Sequence, residues 1–157
     1  MRGDNEKAYN RALKFLRYRA RSADEIKEKL KQAGFSRLSV EAALRKLISL
    51  SLLDDESFAR NWAASRIGQR GYGPVRVARE LASKGISKPV VDRILQEAFA
   101  HGRSDIAENA KALLHKRFGS SDLTAPKNLR RAADFLQRRG YPVSVIMEVL
   151  GQDDLQN

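Results

Sequence analysis

Apolar residues along this chain recur every three or four positions, the spacing that gathers them on one side of an α-helix. A first helix is expected over about Asn5 to Ala20. Ala8, Tyr9, Ala12, Leu13, Phe15, Leu16 and Ala20 share one face of it, and Lys7, Arg11, Lys14, Arg17 and Arg21 share the other. A second helix opens at Ser22-Ala23-Asp24-Glu25. This reads as a capping box: the Ser22 hydroxyl accepts from the Glu25 amide while the Glu25 carboxylate reaches back. Ile26 and Leu30 form its buried stripe, and Gly34 ends it as a left-handed cap. A third helix, from about Ser39 to Ser51, is expected to bury Val40, Ala43, Leu44, Leu47 and Ile48.

The pattern then returns. Leu30-Lys31-Gln32-Ala33-Gly34-Phe35, Leu81-Ala82-Ser83-Lys84-Gly85-Ile86 and Leu136-Gln137-Arg138-Arg139-Gly140-Tyr141 each place Leu four before Gly and a bulky apolar residue after it. Six residues past the Gly stand Val40, Val91 and Ile146; ten past it stand Leu44, Leu95 and Leu150. The chain is thus one helical module of about fifty residues written three times, and repeats of that size form arrays that offer an extended surface to a large partner. A lone module of that size is marginal, so the three are expected to lean on one another.

In the middle module Asp54 or Asp55 caps a helix whose stripe is Phe58, Ala59, Trp62, Ala63 and Ile67. Gly71-Tyr72-Gly73-Pro74 is a turn, with Pro74 at a first helical position. The next helix turns Val77, Ala78 and Leu81 inward and Arg76, Arg79 and Ser83 outward; Gly85 stops it, and Lys88–Phe99 follows as the third. The last module has helices at about Asp105–Arg117, Lys127–Arg139 and Val143–Leu150, a turn-rich loop over Gly119–Pro126, and a polar, frayed tail from Gly151. No segment alternates with period two. The predicted fold is therefore all-α: three tandem three-helix repeats in an elongated array, divided as residues 1–53, 54–103 and 104–157.

Charge sharpens this picture. The chain holds 30 Lys and Arg against 19 Asp and Glu, a net +11, which favours a polyanionic partner. The first repeat has 13 basic and 6 acidic residues and is the most cationic. The absence of cysteine excludes disulfides, thiolate metal sites and Cys nucleophiles. No apolar run reaches the roughly 18 residues that span a membrane, and the N-terminal residues lack a signal-peptide core, so a cytoplasmic protein is expected.

Catalytic chemistry finds no footing. His101 and His115 fall in no metal-ligand spacing, adjacent Asp54 and Asp55 point apart, and there is no phosphate-binding glycine loop. No cofactor is expected. Trp62 reads as core, being part of the Phe58 stripe. Tyr72, between glycines in a turn, is open to either a contact or a packing role. The cationic stripes are the candidate sites: Arg11, Lys14 and Arg17 on the first helix; Arg66, Arg70, Arg76 and Arg79 around the central turn, with Tyr72; and Lys127, Arg130, Arg131 and Arg138 in the last repeat. Phosphate backbone and protein carboxylates both suit them.

The central module, Leu53-Asp54-Asp55-x-x-Phe58-Ala59-Arg60-x-Trp62, then Arg66, then Gly71-Tyr72-Gly73-Pro74-x-Arg76-Val77-x-x-Glu80-Leu81-x-x-Lys84-Gly85-Ile86, resembles the signature of the RecX regulatory family. Ser22-x-x-Glu25-Ile26-x-x-Lys29-Leu30 and Phe135-Leu136-x-x-Arg139-Gly140-Tyr141 resemble the family's first and third modules. The resemblance covers roughly residues 8–150; Ala63, where a larger aliphatic is common, departs from it. It implies three helix-turn-helix-like repeats and no catalytic residues. It also implies a partner, the filament of the RecA recombinase on single-stranded DNA, whose growth, strand exchange and ATP hydrolysis such proteins suppress. A monomer with weak direct DNA binding is expected, and reversing Arg76 and Arg79 is expected to weaken inhibition without unfolding. Direct DNA binding as a helix-turn-helix protein is the alternative.

Overall fold

The computed structural model describes residues 2–151. Its helices are α1 (Arg2–Tyr18), α2 (Ala23–Gln32), α3 (Arg37–Ser49), α4 (Asp55–Gly68), α5 (Pro74–Ser83), α6 (Lys88–Ala98), α7 (Arg103–Phe118), α8 (Pro126–Arg138) and α9 (Val143–Val149), and there is no strand among the described residues. Apart from Gly151, the tail expected to fray lies outside them.

Each repeat closes its own core. Ile26, Leu30, Val40, Ala43 and Leu47 pack with Ala8 and Ala12 in the first. Phe58, Ala59, Val77, Leu81, Val91 and Ile94 pack in the second. Ala107, Ala110, Leu114, Leu136, Val145 and Ile146 pack in the third. The closely packed helix pairs among the described residues all lie within one repeat. The fold is thus an all-α tandem array of three-helix units.

The repeat shows in the backbone as well. Gly34, Gly85 and Gly140 end the second helices with φ of 90°, 78° and 91°. A left-handed residue also follows each third helix: Ser51, Gly102 and Gly151, at φ 56°, 60° and 72°. In the first repeat a serine thus occupies a conformation that glycine adopts at no steric cost.

Three expectations change. Ile48, placed on the buried stripe, is 54% exposed, and Ala20 is exposed beyond the end of α1, because the apolar residues that α3 turns fully inward are Val40, Ala43 and Leu47 and α1 ends at Tyr18. The capping box forms by half. Ser22 Oγ accepts the Glu25 amide at 3.2 Å. The Glu25 carboxylate instead pairs with Arg19 and Arg21, and with Lys84 of the next repeat at 3.0 Å. Charged partners offer it more than one neutral amide does.

Both junctions use one device. The glycine turn that ends a second helix docks on the first turn of the preceding repeat's second helix. At the first junction Ser22 Oγ donates to the Lys84 carbonyl at 2.6 Å, and the Ala23 amide donates to Asp55 at 2.8 Å. Asp55 therefore ties two repeats together, while Asp54 caps α4 by accepting from the amides of Glu56 and Ser57. The Ser57 amide and hydroxyl hold the Asp54 carboxyl below its ordinary pKa. At the second junction main chain meets main chain: the Gly73 amide donates to the Arg139 carbonyl at 2.8 Å and the Val75 amide to the Gly140 carbonyl at 2.9 Å. Orphan donors at the start of α5 are thereby satisfied by the next repeat.

Candidate partner-binding groove at the second junction

The groove follows from that close backbone approach. With Gly140 against Arg76, the C-terminal end of α4, the start of α5 and the ends of α7 and α8 converge. Arg70, Arg76, Arg117, Arg138 and Arg139, with Tyr72 and Phe135, line a cleft of about 490 Å³ in which no carboxylate takes part.

Two of these arginines are built into the junction. Arg139 donates to the Arg70 carbonyl at 2.6 Å, and Arg76 donates to the Arg138 carbonyl at 3.2 Å. Their guanidiniums stand 5.8 and 3.8 Å from the centre of the Tyr72 ring, close enough for cation–π attraction. Tyr141 donates its hydroxyl to the Gly71 carbonyl at 3.0 Å, and burial pushes its pKa up to about 12 against the opposing charge of Arg139. Arg70, Arg117 and Arg138 carry no ion pair among the described residues, and no carboxylate lines the cleft with them; Asp134 adjoins it beside Arg117 and Arg138.

The structure brings together four of the residues singled out from the sequence: Arg70, Tyr72, Arg76 and Arg138. For Tyr72, open to a contact or a packing role in the sequence, the structure shows packing. It is 9% exposed, packed in the core of the second repeat and covered by Arg76. Arg66 and Arg76 are committed to Glu80, at 3.4 and 3.9 Å, and Arg66 lies over Trp62 at 4.2 Å. Trp62 packs partly buried against the core and donates its indole N–H to Glu80. Arg79 is exposed on α5, outside the cleft. Arg11, Lys14 and Arg17 are exposed on α1 in another repeat; Arg21, of the same stripe, is buried beside Phe15. Lys127 and Arg130 are exposed on α8 but do not line the cleft, and Arg131 flanks it together with Asp134.

Sequence reasoning missed Lys116 and Arg117. They belong to the last turn of α7, where cations suit the helix dipole. Nothing local marks them as a site; the junction brings Arg117 into the cleft and Lys116 into the space beside it. Among the described residues no cluster of His, Asp and Glu could hold a metal ion, and no helix is long and apolar enough to cross a membrane.

A tandem array of three-helix units with a cationic groove between two of them defines a class: an all-α helical-repeat protein. Comparison with known proteins narrows the class. Residues 8–47, 54–95 and 104–150 match the first, second and third three-helix domains of RecX. A regulatory protein RecX from Halorhodospira halophila is 34% identical over 137 residues, covering 87% of this chain and 82% of that one. Another, from Bacillus velezensis, is 32% identical over 155 residues, 98% of this chain and 58% of its own length. The crystal structure of RecX from Lactobacillus salivarius superposes over 99% of both chains with a TM-score of 0.81 at 22% identity, a likeness of fold. The chain belongs to the RecX family of regulatory proteins.

Proposed function

We propose that this protein regulates the RecA recombinase by binding its nucleoprotein filament on single-stranded DNA in the cytoplasm. It acts as a monomer, without cofactor and without bond-making chemistry of its own. A three-helix unit of about fifty residues is roughly 25 Å across, so three in line extend about 75 Å, enough to lie along a filament groove and touch more than one protomer. Bridging of that kind opposes filament growth, ATP hydrolysis and strand exchange. The observation that carries the reading is the match of all three repeats to the three RecX domains, in order. The unpaired cations on the repeats supply the attraction.

Those same cations favour a second reading, direct binding to DNA. Salt separates the two. Binding that rests on six or more phosphate contacts weakens about a thousandfold or more between about 50 and about 200 mM salt. Filament inhibition that persists where binding to bare DNA has gone supports the first reading. Inhibition and bare-DNA binding that fade together support the second.

A further inference from the structure

The arginine cleft continues, between the end of α4 and α7, into a larger one of about 710 Å³. The two share Arg70, Arg117, Phe135 and Arg139, and so form one continuous groove. In the larger part the floor is aliphatic, made by Ile67, Ala112 and Leu113. Arg70, Lys116, Arg117 and Arg139 stand round it, and again no carboxylate lines it.

A phosphodiester strand would use the cations alone. It would use the floor best by stacking bases there, for which exposed aromatic faces are the strongest platform. The aromatic residues at hand do not offer them. Phe135 and Tyr141 are 9% and 3% exposed, and Tyr72 is covered by Arg76. An aliphatic floor ringed by unpaired cations complements instead a polypeptide with an apolar side chain flanked by carboxylates. The side chain buries apolar area on the floor while arginine forks engage the carboxylates in two-pronged hydrogen bonds.

We propose that this groove receives an acidic, apolar-anchored segment of the partner protein rather than nucleic acid. The inference rests on the filament reading and deepens it, by assigning the groove to the protein part of that assembly.

Two sets of variants test it. Ala112→Gln, at an exposed helical position, crowds the floor with a polar side chain and leaves the net charge unchanged. Arg70→Gln with Arg117→Gln neutralises two cations on the rim. Thermal melts check that each variant folds as the wild type does. Inhibition of RecA-dependent ATP hydrolysis and affinity for bare oligothymidylate are then measured side by side. Both sets are expected to need at least about tenfold more protein for the same inhibition, with oligothymidylate affinity for Ala112→Gln held within about threefold. Variants that inhibit like the wild type overturn the groove as a contact. An Ala112→Gln variant of full potency, beside an arginine pair that has lost oligothymidylate, makes it a nucleic-acid groove and overturns the proposal. A wild-type protein without effect on hydrolysis overturns the filament reading itself, and that result is told apart because it needs no variant.

Discussion

Tyr141 shows how much one side chain does at the second junction. Its ring belongs to the core of the third repeat, and its hydroxyl reaches across to the Gly71 carbonyl of the second. The fold prefers the neutral phenol, whose pKa is lifted from 10.0 to about 12 by burial. Tyr141 in the unfolded chain ionises first, so its share of stability is whole below pH 10 and is lost as pH rises towards about 12. Tyr141→Phe is expected to cost about 0.5–1.5 kcal/mol at neutral pH for the lost hydrogen bond. It should also flatten the fall in stability above pH 10, relative to the wild type in the same buffers. Denaturant melts at neutral and alkaline pH check both, and an equally steep alkaline loss in the variant counts against the assignment.

The elements explain why the junctions hold. The Gly73 φ of −84° suits any residue, so alanine there meets no backbone strain. Its Cβ, however, would stand 2.5 Å from the Gly140 carbonyl oxygen and 2.7 Å from its carbon, and neither can step aside as a flexible side chain does. Gly73→Ala is therefore expected to open the junction and speed hydrogen exchange at the amides of residues 73 and 75, which donate across it. Gly34→Ala strains its own left-handed turn but meets no atom within 4 Å, and should leave those two amides protected. Equal protection in both variants would contradict this account of the junction.

At this scale the sequence was legible where the information is local. Helical periodicity, the glycine stops at Gly34, Gly85 and Gly140, the Asp54 cap and Pro74 at the start of α5 depend on neighbours a turn away. Contacts between repeats were not legible. Ser22 reads as a cap and is also a junction donor; Glu25 reads as half a capping box and pairs across to Lys84; Asp55 reads as a candidate helix cap and binds the Ala23 amide. Each has a sufficient local explanation, and the partner that changes its role lies 32 to 62 residues away. The groove divides in the same way. Its arginines were visible as charge, but Ile67 of the floor reads as ordinary helical stripe, and the burial of Tyr72 follows from packing that no window along the chain contains.

For the whole molecule, the structure alters which side chains report on partner binding. Arg76 donates across the second junction to the Arg138 carbonyl and, within its own repeat, meets Glu80 and the Tyr72 ring, so reversing it disturbs the array along with any contact it makes. Arg79, exposed on α5 and free of ion pairs among the described residues, separates the two effects. The main chain bonds at the second junction make repeats two and three a unit. The first repeat, the most cationic of the three, joins them through side chains: Ser22, Asp55 and the Glu25–Lys84 pair.

The most direct measurement is the rate of DNA-stimulated ATP hydrolysis by RecA as this protein is titrated in, at a salt concentration that abolishes its binding to bare oligothymidylate. The rate should fall with added protein, and Arg79→Glu should shift the curve to higher concentration without lowering the melting temperature. A hydrolysis rate that stays level throughout the titration would contradict the account.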